Sequence, residues 1–355
     1  MRCGSAFLRL ALPVALALAG GCATAPVEVE PRTARPQVEA VLAARILALD
    51  PERIGEADVR DTLAKGPTPR IIGLHGGIYP VHLAMSDFAE FLIGMGYPEA
   101  KVRHPGDGRY SHSPYESSVA LAGLVAWYYE RDGLRPMLVG HSQGGMQAVK
   151  VLHTLNGAFG DRIPVWNPLA DSAEDRTKIV DPVTGRKRPV VGLSVAYATA
   201  VGAGGAAFLL PNQWSMAGRL RTIPDTVEEF TGFFIELDLW AWNAPGSIEA
   251  QPYRRNGAAT VRNVSLPASY NHVFVPVTSH LAADPRMRSW INAYDPHRRD
   301  AAPPLPEGRS DNVLWAADVW HSIKKHWCRE AQRLIRAQRA VRTDAGTAAA
   351  PARVQ

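Results

Sequence analysis

Cysteine is scarce in this chain. Only Cys3, Cys22 and Cys328 occur in 355 residues, which excludes a small domain stapled by several disulfides and leaves stability to a buried core. Charge of one sign is also missing. The formal excess of +5 is spread over the whole length, and no basic run is denser than Arg186-Lys187-Arg188, so nucleic acid is not an expected partner. The apolar run at 11–19 is too short for a permanent membrane helix, which needs about 20 residues. Neither G-x-G-x-x-G nor a P-loop lysine occurs, and no His/Cys/Asp cluster has ligand spacing, so no metal or organic cofactor is implied. What remains, 46% hydrophobic and 21% charged residues with 30 Gly and 28 Pro, suits one α/β domain with insertions.

Residues 1–22 have the pattern of a targeting segment: Arg2 and Arg9, then the apolar stretch, then Gly20-Gly21-Cys22. The small residues before Cys22 resemble a bacterial lipoprotein signal, although Ala19 stands where leucine is usual. That resemblance implies a lipid on Cys22 and a place in the bacterial cell envelope, with Ala23 resembling the signal for transfer to the outer membrane, facing the periplasm. Lipidation of Cys22 would leave Cys328 without a partner, as packing filler in a helix. Residues 23–67 are then a Pro/Ala/Val/Glu spacer followed by a helix over 37–49, and 341–355 an Ala/Pro-rich disordered tail.

Between them, 68–340 alternates short apolar runs with helical periodicity. Strands are expected at 70–74, 101–104, 137–139, 190–199, 260–266, 273–277 and 312–319. Helices are expected at 81–95, 114–130, 146–155 and 322–337. Such alternation implies a mostly parallel sheet with helices on both faces. A polar excursion at 167–188 has its turn at 181–185. Residues 203–258 break the rhythm and read as a cap or lid. Within them Phe230, Phe233, Phe234, Leu237 and Trp240 keep helical spacing.

The stretch Gly140-His141-Ser142-Gln143-Gly144 is the centre of the chemistry. It lies between an apolar strand and a helix, so Ser142 occupies the apex of a sharp turn, and glycines flank it because side chains there would crowd strand against helix. A serine hydroxyl needs a base to take its proton. Topology asks for a histidine in the loop after the last strand, which favours His321 at the end of 312–320, ahead of His280 and then His272. The oxyanion formed in acyl transfer needs fixed N–H donors. Gln143, just past the serine, and Gly77 or Ile78, in the loop His75-Gly76-Gly77, are the candidates.

His75-Gly76-Gly77, the G-H-S-Q-G-G stretch at 140–145 and a histidine after the last strand together resemble the α/β-hydrolase superfamily, in particular its bacterial lipase and esterase branch, over 68–340. The resemblance implies an α/β-hydrolase fold with an inserted cap, a Ser–His–acid triad and hydrolysis of small-molecule or lipid esters. It also locates the acid, where Asn271 stands in place of aspartate ahead of Ser279-His280-Leu281. Asparagine can orient an imidazole without stabilising its charge, a loss worth about 10⁴ in rate in a serine protease. Either the acid has moved, to Asp238 or Asp318, or Ser142, His321 and Asn271 form a weak triad. An acyltransferase, or a weakly active envelope protein that binds rather than cleaves, are the alternatives.

Overall fold

Short apolar runs separated by helices pack side by side. The computed structural model describes residues 38–242, 251–298, 303–304 and 312–348. Six strands form its main sheet: β1 (Ile71–Leu74), β2 (Ser111–His112), β3 (Met137–His141), β4 (Val195–Val201), β5 (Val227–Ile235) and β6 (Thr260–Leu266). Their order across the sheet is β2-β1-β3-β4-β5-β6, and every neighbouring pair is parallel. Parallel strands are joined by crossovers that cover both faces, so β1, β3 and β4 are buried at every position.

The helices are α1 (Ala40–Ala48), α2 (Glu56–Asp61), α3 (Tyr79–Gly94), α4 (Ser118–Asp132), α5 (Gln143–Leu155), α6 (Ser279–Ala283), α7 (Pro285–Ala293) and α8 (Val313–Ala348). Successive strand residues point to opposite faces and so feed two cores. Ile71, Met137 and Val139 pack with Phe88, Trp315 and Trp320 from α3 and α8. Ile72 and Leu138 pack with Val125, Met146 and Val149 from α4 and α5. The architecture is therefore α/β, a parallel sheet between two helical layers.

Several expectations fail, most of them for a visible physical reason. Residues 227–235, read as part of a helical cap, are β5, hydrogen-bonded to β4 on one side and β6 on the other. The strand is buried on both faces and its Glu228, Glu229 and Thr231 do not alternate with apolar residues, so no period of two shows and a helical spacing can be picked out of its phenylalanines. Residues 203–258 are thus not one insertion, since the sheet passes through them. Residues 312–319, read as the last strand, open α8, and the helix reaches Ala348 through the stretch expected to be a disordered tail. Its first turns are covered all round, with Val313, Trp315, Ala316, Ala317, Val319 and Trp320 wholly buried, and all-round burial erases the amphipathic signal. Residues 273–276 are turn rather than strand, and Pro276 could not have donated to a ladder. The edge strand is Ser111–His112 rather than 101–104.

Other expectations match. The turn at 181–185 is closed by the Asp181 carboxylate, which accepts from the N–H groups of Val183 and Thr184. Cys328 is buried and free in α8, and burial pushes its thiol up to about 12, which leaves it unreactive. Residues 1–37, with Cys22 among them, lie outside the described residues. Among the described residues no helix is long and apolar enough to cross a membrane.

Candidate active site

The strand order reverses between β1 and β3, and in open parallel sheets the loops beyond that switch point form the natural crevice. Ser142 lies there, where β3 gives way to α5. Its backbone has φ 55° and ψ −123°, a conformation a non-glycine residue holds only when its surroundings enforce it. The enforcement is visible. The Ser142 N–H donates to the Val201 carbonyl at 2.8 Å, tying the bend to β4. A methyl group on Gly140 would lie 2.5 Å from the Gly144 carbonyl oxygen, one on Gly144 2.1 Å from the Leu74 oxygen, and one on Gly145 3.0 Å from the Ala200 Cβ. The glycines around Ser142 are therefore required by close approach.

Two further side chains complete a hydrogen-bonded chain. His272 Nε2 is 2.9 Å from Ser142 Oγ, and His272 Nδ1 is 2.7 Å from Asp238 Oδ2. Asp238 follows β5 and His272 follows β6, so strands beside one another deliver both. The Asp238 side chain is fully enclosed, and its second oxygen accepts from the Ala241 N–H at 3.1 Å. An ionised carboxylate accepts only. It therefore takes the Nδ1 hydrogen and leaves the Nε2 lone pair facing the serine hydroxyl. A carboxylate, an imidazole and a hydroxyl in this order can move a proton from serine to histidine and stabilise the imidazolium that results.

On the other side of Ser142 stands the loop after β1. A methyl group on Gly76 would meet the Ser142 Cβ at 3.0 Å, and one on Gly77 would come within 1.8 Å of Gln143 Oε1. The Gly77 carbonyl accepts from the Tyr115 hydroxyl at 3.2 Å. Gln143 opens α5, so its N–H is among those with no acceptor inside the helix. His75 Nδ1 sits 2.7 Å from the Gly76 oxygen, and burial holds this imidazole below the usual histidine range.

No protein-family model and no curated protein matches this chain. The assignment of roles therefore rests on geometry.

Against the sequence reading, Ser142, Gly77 and Gln143 come together at one place. His321 does not join them. It lies inside α8, on the layer that covers one face of the sheet, and burial, with Lys324 beside it, keeps its imidazole below the ordinary histidine range. His280 belongs to α6. Asn271 is no acid surrogate, because its Oδ1 accepts from the Val273 N–H at 2.9 Å within its own turn. Asp318 is bound to Arg262 at 2.6 Å. The imidazole beside the serine is that of His272, the third choice from sequence, and the carboxylate beside it is that of Asp238, one of the two alternatives. Applied to the true last strand, 260–266, the topological rule points to His272, and β5 points to Asp238 in the same way. Among the described residues no group of three or more His, Cys, Asp or Glu side chains could hold a metal.

Proposed function

We propose that this chain is a serine hydrolase of the α/β-hydrolase type that cleaves carboxylic esters through an acyl-enzyme. The observation that carries the reading is the chain Ser142–His272–Asp238, at 2.9 and 2.7 Å, on a strained bend between strand and helix. His272 takes the Ser142 proton as Oγ attacks the ester carbonyl. The negative charge then forming on oxygen is met by the N–H of Gln143 and that of Gly77 or its neighbour Ile78. As the tetrahedral species collapses, the C–O bond to the alcohol breaks and His272 returns the proton to the leaving oxygen. Water, deprotonated by the same imidazole, then releases the acid and restores Ser142. With a carboxylate rather than Asn271 behind the imidazole, the reason for expecting a weak enzyme or a mere binder falls away.

The surroundings favour an apolar ester. Tyr79, Tyr115, Trp214, Leu239, Trp240 and Phe274 are all largely exposed. Each lies in a connection that leaves the same edge of the sheet as Ser142, Tyr79 as the first residue of α3. The segments 202–222 and 236–242 take the part of the cap in this reading, flanking β5 rather than enclosing it. Gly20-Gly21-Cys22 supports a lipid-anchored protein of the bacterial envelope, with the catalytic domain acting on lipid-like esters there.

A fluorophosphonate probe and a series of p-nitrophenyl esters of rising chain length test the reading on the purified protein. Labelling and ester turnover are expected in the native chain and neither in Ser142→Ala, with circular dichroism unchanged. Activity retained in Ser142→Ala would overturn it. Adding an alcohol acceptor separates hydrolysis from acyl transfer in the same assay, and loss of membrane retention in Cys22→Ser tests the anchor.

A further inference from the structure

The residue just before the serine has a role that the relay alone does not explain. His141 ends β3 and is wholly buried. Its Nε2 lies 2.6 Å from the backbone oxygen of His272, and the two imidazole rings are 5.2 Å apart at 48°. Its Nδ1 is buried and has no hydrogen-bond partner among the described residues. A carbonyl oxygen only accepts, so the ring hydrogen is on Nε2 and Nδ1 carries a bare lone pair. Burying an unpaired acceptor is costly, and an apolar side chain of similar size would avoid that cost.

What the bond to His272 does follows from the loop it grips. His272 stands in a turn. The backbone bonds of that turn are local, from Phe274 to Asn271 and from Val277 to Phe274. The Asn312 side chain holds the carbonyls of Phe274 and Val277, further along. At His272 itself, the backbone is tied to the sheet through His141.

We infer that His141 is a positioning residue for the general base: by donating from Nε2 to the His272 carbonyl it fixes the backbone from which the His272 ring reaches Ser142 and Asp238. The inference rests on the proposed roles of Ser142, His272 and Asp238. The nucleophile and its base come from distant segments, and His141, adjacent to one and bonded to the other, couples their placement. A shift of about 1 Å in such a pair costs on the order of 10² in rate. The same enclosure serves the charge balance. Burial, aided by the neighbouring His272, pulls the His141 imidazole down to about 3. It stays neutral while His272 becomes positive during the reaction, so no second cation opposes that step.

The test compares His141→Leu with His141→Gln in the full chain, because the glutamine amide can offer an N–H about where Nε2 stands. Expected for leucine is a fall in kcat on the order of 10²-fold with KM little changed, and a matching fall in fluorophosphonate labelling. Glutamine should recover most of both. Wild-type kcat in the leucine variant, or an equal loss in both variants, overturns the inference. Histidine side-chain NMR of the native protein gives a second reading that needs no variant to fold. A His141 hydrogen on Nε2 with no titration between pH 5 and 8 supports it, whereas a hydrogen on Nδ1 or a titration in that range overturns it. His272→Ala separates the two levels. If it keeps full turnover, the relay itself is wrong and this inference goes with it. If it is inactive while His141→Leu is not, only the role of His141 fails.

Discussion

Asp238 and His272 meet at 2.7 Å across 34 positions of sequence because they follow β5 and β6, which lie side by side from Glu229–Thr260 to Ile235–Leu266. The contact is thus a property of strand order. It is also enclosed, with the carboxylate fully buried and the imidazole nearly so. A charge placed there acts through little water.

That enclosure sets the first prediction. Asp238→Asn keeps the shape but removes the charge that steadies the imidazolium, so kcat should fall by about 10³–10⁴, as for the equivalent change in a serine protease. Asn271→Ala should cost far less, because that side chain serves a local turn. Steady-state kinetics on a short-chain ester compares the two. The reverse ranking would return the acid to position 271.

Gly202, at the end of β4, makes room for this pair. It has φ +63°, and a methyl group there would lie 2.8 Å from His272 Cε1 and 2.9 Å from His272 Nδ1. Gly202→Ala should cost about 1–3 kcal/mol of stability through backbone strain. Turnover should fall on the order of 10²-fold as the imidazole is pushed off its line to Ser142. Thermal melts and kcat measured together check this. A variant that loses stability yet keeps its kcat would mean the ring position is not critical.

The exposed apolar side chains beyond β5 give a prediction about specificity. Leu239 is 83% and Trp240 66% exposed, so Leu239→Ser and Trp240→Ser should change folding stability by no more than about 0.5 kcal/mol. If these residues cover acyl chains, each methylene they shelter is worth about 0.8 kcal/mol. The ratio of kcat/KM for long-chain to short-chain esters should then drop by roughly tenfold in the double variant. An unchanged ratio would place the acyl chain elsewhere.

How much of this was legible in the sequence differs by segment, for physical reasons. The Ser142 bend was readable because its geometry forbids side chains at 140 and 144, and glycines stand there. Strands β1 and β3 were readable as short apolar runs ended by glycine. Strand β5 was not, since a strand buried on both faces shows no alternation and its phenylalanines happen to fall at helical intervals. The start of α8 was not either, because burial around the helix leaves Val313–Trp320 apolar but for Asp318, which is buried against Arg262. Reading 273–277 and the start of α8 as strands moved the supposed last strand from 260–266 to 312–319. That shift carried the expected base from the loop of His272 to His321, while Asn271 was expected as the acid's stand-in from the family pattern alone. The error was in the strand count, and the chemistry followed it.

Beneath the sheet, α8 is held to β5 by buried charges, and these set the response to acid. Glu229 faces Lys325 at 2.6 Å and both Arg262 and His326 at 3.3 Å, and Glu330 lies 2.7 Å from Arg135 and Arg333. Burial alone would raise both carboxyls. Hydrogen bonds and charge outweigh it, from His326 and Lys325 at Glu229 and from Arg333 and Arg135 at Glu330, and hold both below the usual glutamate range. A carboxyl whose folded value lies below its unfolded value of about 4.3 binds fewer protons when folded. Its stabilisation is complete above that pH and is lost as pH falls through the folded value. Unfolding free energy from urea titrations should therefore decline steadily from about pH 5 downward. In Glu229→Gln the decline should be shallower, because one of the groups responsible is gone. At pH 7 the same variant should be less stable by about 3–5 kcal/mol, the cost of leaving buried cations without their partner. A Glu229→Gln curve parallel to wild type below pH 5 would show that the acid sensitivity arises outside this contact between β5 and α8.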